Sequence, residues 1–223
     1  MDLLTTLTAA RARVAASPED PAAWLALSDV LEVAIRGALD EDASFVLDMD
    51  RAEALSRVVT LLPTAAYLRA QVGHLGGLAG RAAGRGHTDV AWELRREQVA
   101  AARVWMRVER VADAEEALVT AAEALAEGAM ARGDREAAAG AFAAMLEGLY
   151  ALAHRTGRPT YALRLAGVHL HLACQLDDTT AARRSLTAAR DILDRLEAAG
   201  LSHPVQAQVR AEVEERWVAL EGS

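Results

Sequence analysis

Along most of the chain, apolar residues recur at intervals of three and four with polar residues between them. Helices that bury one stripe and wet the rest have this pattern. No segment alternates apolar and polar positions as a half-buried strand would. The periodic segments are separated by turn-forming clusters. These fall at Ser17-Pro18-Glu19-Asp20-Pro21, Gly37 to Asp42, Pro63-Thr64, Gly84-Arg85-Gly86-His87, Gly133-Asp134, Gly157-Arg158-Pro159, Asp177-Asp178 and Gly200 to Pro204. Asp20 followed by Pro21 reads as an N-cap with proline in the first turn, where a missing N–H does no harm. Thr88-Asp89 and Thr179-Thr180 are further capping candidates. The template predicts about ten helices and an all-α fold.

In the last segment, roughly 203–220, Val205, Val209, Val213 and Trp217 recur every four residues, with Leu220 close by. One apolar stripe and one wetted face suit a terminal capping helix.

Composition agrees with the helical reading. Of 223 residues, 52% are hydrophobic but only 4% are aromatic, so Ala, Leu and Val supply the apolar content. Ala and Leu favour helices, and five prolines leave long helices uninterrupted. Small side chains also let helices approach closely. All 24 basic residues are Arg, with no Lys or Asn, a bias that fits a GC-rich bacterial genome. A net charge of −8 without a basic run argues against nucleic-acid binding, which draws most of its affinity from phosphate neutralisation. Arg95-Arg96 and Arg183-Arg184 lie beside acids or polar residues and read as solvated faces.

A single cysteine, Cys174, forms no internal disulfide and fits a reducing compartment. Met1-Asp2-Leu3-Leu4-Thr5 carries no basic leader, and Arg11 and Arg13 interrupt the apolar run. No stretch approaches the ~20 uncharged residues of a membrane span. A cytoplasmic protein with no membrane partner is expected.

Short turns between helices predict antiparallel hairpins. Ala91, Ala138 and Ala182 put a small residue at the same place in three second helices, at spacings of 47 and 44 residues. A standard tetratricopeptide unit repeats at ~34 residues, so longer helices are implied. Pro21-Ala22-Ala23-Trp24-Leu25-Ala26-Leu27-Ser28 resembles a tetratricopeptide first helix, with Trp24 and Leu27 as its packing pair. Ala129 to Ala138, followed by Phe142, resembles the family's turn and second helix. Leu172 to Ala182 repeats it, with Leu186 in the aromatic's place.

The longer spacing is similar to the extended repeats of large actinobacterial regulators. The match is good over 112–200, partial over 20–36 and weak over 37–110. It departs from the family in lacking the closing proline after Phe142 and in an acidic insertion after Gly37. The resemblance implies one right-handed α-solenoid domain over residues 1–223, with 203–220 as its cap. It also implies a concave groove for a peptide or partner helix. Transferred position by position, the groove residues are Thr120, Glu123, Glu127 and Met130 from one hairpin, and Arg164, His171 and Gln175 from the next. An acidic edge of Glu123 and Glu127 favours a basic or amide-rich partner, with Arg164 holding one carboxylate.

Other constellations are weaker. On a helix His171, Cys174 and Asp178 share a face, while His169 points roughly 200° away from His171. That set lacks a second Cys or His on its face, so no metal is expected and His169 reads as a core histidine. Asp40, Glu41, Asp42, Asp48 and Asp50 lack the spacing of a calcium loop and read as solvated turns and caps. Asp177-Asp178-Thr179 likewise lacks the spacing of a diphosphate site. Gly73, Gly76, Gly77, Gly80 and Gly84 would make one smooth helix face, read as a site of close packing with a ligand slot as the alternative. No Gly-Lys-Ser/Thr ending supports a nucleotide there. That face also leaves homo-oligomerisation open.

No catalytic residue, cofactor or metal is assigned. The expected function is a non-catalytic scaffold for a protein or peptide partner. The alternatives are a sensor of a small peptide or metabolite that controls a separate effector, and, third, an α-helical enzyme.

Overall fold

In the computed structural model, residues 2–201 and 203–221 are described; Met1, Ser202, Gly222 and Ser223 lie outside them. Ten helices and no strand occur among the described residues. They divide between two compact units, Met1–Glu109 and Arg110–Ser223.

In the first unit, α1 (Leu3–Ala16) lies on α2 (Pro21–Arg36), and α2 forms an antiparallel hairpin with α3 (Glu41–Leu61). α4 (Ala65–Gly84) neighbours α3 and forms a second hairpin with α5 (Thr88–Val108). In the second unit, α6 (Ala112–Arg132) pairs with α7 (Arg135–Thr156), and α8 (Pro159–Gln175) with α9 (Thr179–Ala198). α7 also packs on α8, and α10 (Pro204–Glu221) closes against α9 and α8. Each unit is therefore built of stacked antiparallel hairpins, as an all-α solenoid requires.

Local chemistry sets most helix ends. The Asp20 carboxylate accepts from Ala22 N–H at 2.9 Å and Asp40 from Ala43 N–H at 2.6 Å. Asp134 accepts from Ala137 N–H at 3.0 Å, and Gly133 before it ends α6 in the left-handed region, at φ 70°, a backbone conformation that strains residues with a side chain. Two expected caps move by one residue. Asp178, not Thr179 or Thr180, caps α9 through Thr180 N–H at 2.8 Å. Thr88 lies inside α5, whose N-cap, His87, makes no side-chain cap bond.

One boundary carries no turn residue. α5 stops at Val108 and α6 starts at Ala112, across Glu109-Arg110-Val111. There Trp105 Nε1–H donates to Glu109 Oε2 at 3.0 Å. Glu109 and Val111 adopt extended backbone with neither Gly nor Pro to announce it.

Ala91, Ala138 and Ala182 are buried, as their positions predict. In the first unit Leu7, Val14, Ala23, Leu27, Leu31 and Ala54 form a core, with Trp24 against it and its Nε1–H given to the Pro18 carbonyl at 2.7 Å. In the second, Ala166, Leu170, Ala173, Leu186, Leu193 and Val213 form the core beneath α10, with Val209, Trp217 and Leu220 at its edge. Val205 does not join that stripe. It is exposed, and Gln206 is buried in its place. α7 has the length and mean hydropathy of a membrane span, unlike any other described helix, and half of that stretch is buried inside its unit.

The glycine-rich face of α4 is not a packing face. Gly73, Gly77, Gly80 and Gly84 are exposed; a Cβ at Gly73, Gly80 or Gly84 would meet nothing within 4 Å. Only Gly76 is crowded, by the amide of buried Gln98. The close approach occurs instead at Gly148 on α7, where a Cβ would lie 2.9 Å from the Glu115 carbonyl oxygen and 2.8 Å from Val119 Cγ2.

Asp48 also departs from its expected solvated role. It is buried, with Oδ2 2.6 Å from Arg81 Nη2, and His74 Nε2–H donates to its backbone carbonyl at 2.9 Å. Burial holds the His74 imidazole below its ordinary range. Of its acidic neighbours, Asp40 is a cap, Glu41 and Asp42 meet Arg85 at the surface, and Asp50 pairs with Arg11.

These glycines should behave oppositely on substitution. Gly148→Ala should lower unfolding free energy by about 1–3 kcal/mol through overpacking. Gly73→Ala and Gly80→Ala should each raise it by about 0.5–1 kcal/mol by removing helix-disfavouring freedom. Urea denaturation followed by circular dichroism would measure both. Destabilisation by Gly73→Ala would contradict an open α4 face.

Candidate functional site

The second unit carries a recess between α6 and α8, floored by α7. Its walls are Glu123, Ala126, Glu127 and Met130 on one side and Arg164, Gly167, Val168 and His171 on the other, with Phe142 and Met145 beneath. The spacing explains the walls: 123, 126, 127 and 130 share one face of α6, and 164, 167, 168 and 171 one face of α8. The recess measures about 280 Å³.

Side chains bridge the two walls. Tyr161 O–H donates to Glu116 Oε1 at 2.8 Å, which raises the phenol's pKa above its ordinary value. Arg164 Nη2 reaches Glu123 Oε2 at 3.4 Å. Residue numbers rise together on both sides, so α6 and α8 run parallel, each separated from the other by α7. Beyond the Glu123–Arg164 bridge the recess opens toward Met130 and His171, in or near the last turns of their helices. The His171 ring stacks on Phe142 with centroids 5.6 Å apart. Met130 is 45% exposed, and a Cβ at Gly167 would meet nothing within 4 Å.

Of the seven residues transferred from the family resemblance, Glu123, Glu127, Met130, Arg164 and His171 line this recess. Thr120 is exposed about one turn before Glu123 on the same helix, and Gln175 ends α8 one turn beyond His171; neither lines it. Arg164 is engaged with Glu123, so a partner carboxylate would have to compete for it. The floor was not read from the sequence as part of a site. Phe142 and Met145 lie one turn apart on α7, and Gly167 interrupts an otherwise bulky α8, the signals that mark it.

Beneath the recess the unit is tied by buried polar groups. Glu115, 2% exposed, receives two bonds from Arg155, Nε to Oε2 at 2.9 Å and Nη2 to Oε1 at 2.7 Å. The carboxylate raises the pKa of the guanidinium it binds. His169 is a core histidine, as its helical position predicts. Ser185 Oγ–H donates to the His169 carbonyl at 2.9 Å, so the ring's Nδ1–H donates to Ser185 Oγ at 3.0 Å. Nε2 is then an acceptor for Tyr150 O–H at 2.7 Å.

This proton order is the reverse of a Ser–His nucleophile, because the serine proton is held by a backbone carbonyl and the imidazole has no free lone pair to take it. Burial lowers the His169 pKa to about 4.

The remaining candidates are dispersed. Cys174 is half-buried against the α8–α9–α10 core, its carbonyl accepting from Arg135 Nη2 at 3.2 Å, and Asp178 is a cap. Among the described residues no three His, Cys, Asp or Glu side chains gather as metal ligands. Arg95, half-buried and bound to Gln98 Oε1 at 2.7 Å, is not a solvated arginine.

The fold and site define a helical-hairpin repeat protein with a lateral recess. No protein-family model matches the chain, and no curated protein does. Among solved structures it is similar to Nro1, described as a hypoxic regulator of sterol synthesis and nuclear import adaptor. The TM-score is 0.62 and the identity 16%, over 88% of this chain and 64% of that one. The chain thus spans just under two thirds of that protein's length. A second structure of the S. pombe adaptor gives a TM-score of 0.51 at 16% identity, covering 96% of this chain and 90% of that one. A designed helical repeat protein, DHR64, aligns at a TM-score of 0.45 with 19% identity, over 91% of this chain and 98% of its own. At these identities the likeness concerns the fold.

The His169 network makes stability depend on pH. The folded imidazole titrates near 4 and the unfolded one near 6.5, so the unfolded chain binds more protons between those values. Stability is therefore complete above about pH 6.5 and falls as pH drops toward 4. Relative to His169→Gln, the wild type should lose about 2 kcal/mol more between pH 7 and pH 5. Urea titrations at both pH values would show it; parallel losses would mean that the ring is not buried neutral.

Proposed function

We propose that this chain is a non-catalytic interaction module that holds a segment of a partner protein in the α6–α8 recess. The observation that carries this reading is the recess itself, in which exposed Met130 and the largely buried Ala126, Phe142, Met145 and Val168 lie between two parallel helices rimmed by Glu123, Glu127 and Arg164. Apolar surface flanked by charge is the arrangement by which grooves accept peptides, with burial for affinity and the rim for register. At about 280 Å³ the recess falls just below the ~300–1,000 Å³ typical of small-molecule sites. That volume is enough for a single side chain delivered by a peptide.

An adaptor role is compatible with the fold likeness to Nro1, itself described as an adaptor. The tetratricopeptide-type register belongs to this reading, and buried Ala138 and Ala182 after equivalent turns support it. So does a cytoplasmic location, which a lone half-buried cysteine supports. The net charge of −8 weighs against a nucleic-acid partner.

Selection of random displayed peptides on the purified protein tests the proposal. Gly167→Leu fills the recess from a position with room for a side chain, so it blocks the groove without disturbing the core. Selected peptides should bind the wild type and lose about tenfold or more in affinity to Gly167→Leu, with the helical circular dichroism unchanged. Failure to select peptides, or binding indifferent to Gly167→Leu, would overturn it.

A further inference from the structure

We infer that the recess is a socket for one cationic side chain, an arginine or lysine of the partner; this rests on the peptide-binding reading above. Three ionisable side chains with fixed charge line it: Glu123, Glu127 and Arg164. Arg164 and Glu123 bridge the walls and offset each other. Glu127 has no hydrogen bond or ion pair among the described residues, leaving one uncompensated carboxylate at the open end.

The apolar part fits the same ligand. Met130, exposed, offers a flexible thioether to an aliphatic stem, above the buried Met145 and the Phe142–His171 stack. A long basic side chain buries its methylenes on such a surface while its head reaches a carboxylate. A carboxylate ligand would meet Glu127 and would have to displace Glu123 from Arg164. A purely apolar ligand would leave Glu127 partly desolvated without a partner. The socket therefore discriminates by charge at its mouth and by shape at its floor.

The peptides selected above provide the probe. Sequences that lose binding to Gly167→Leu should share an arginine or lysine at one position. Replacing that residue with norleucine, which keeps the stem and removes the charge, should weaken binding about tenfold. Glu127→Gln should weaken the basic peptide by a similar factor and leave the norleucine peptide unchanged. Glu127→Arg should shift preference to the peptide carrying Glu at that position.

Groove-dependent peptides without a common basic residue, or equal losses for both peptides on Glu127→Gln, would overturn the socket and leave the groove standing. Absence of groove-dependent peptides would overturn both.

Discussion

Helices made largely of alanine and leucine hold together only if they come close. A short side chain covers little surface at ordinary interhelical distance, and each ångström of separation forfeits contacts that no larger residue is there to recover. The α6–α7 hairpin shows the constraint at its tightest, where Gly148 leaves no room for a Cβ between α7 and the backbone at Glu115. Buried Ala114, Ala121, Ala122, Ala138, Ala141 and Ala144 line the rest of this pair. The hairpin in turn carries α8 against its α7 face, and α9 and α10 follow.

Close approach also decides which polar groups the interior tolerates. Groups brought into a tightly packed layer lose water, so each needs a partner of fixed geometry. Glu115 meets the fork of Arg155, Asp48 meets Arg81, and His169 is satisfied on both nitrogens. None of these sets is arranged for chemistry. The imidazole that stands between a tyrosine and a serine is neutral and fully engaged, and its role is to bind α7, α8 and α9 to one another.

The recess follows from the same packing. α7 lies between α6 and α8, so their outer faces cannot meet and the gap shows the α7 side chains as a floor. Two side-chain bridges, Glu116–Tyr161 and Glu123–Arg164, span the gap over part of its length. Beyond them nothing larger than Met130 and His171 covers Phe142 and Met145. The recess is a by-product of stacking hairpins with small residues, with a few charged positions of α6 and α8 at its rim.

The helical class, nearly every helix boundary, the antiparallel pairing and the burial of Ala91, Ala138 and Ala182 were all legible in the amino-acid order. All of these depend on periodicity and turn chemistry within a few residues. The resemblance also named five residues that line the recess. What depends on distance between segments emerged only in three dimensions: the unmarked break at Glu109–Val111, the buried Asp48, the exposed glycines of α4 and the tight contact at Gly148. A pattern along one helix shows which face is apolar, but not how near the next helix comes. Whether a glycine is a close contact or an open surface, or a carboxylate a cap or a buried ion, is set by residues tens of positions away.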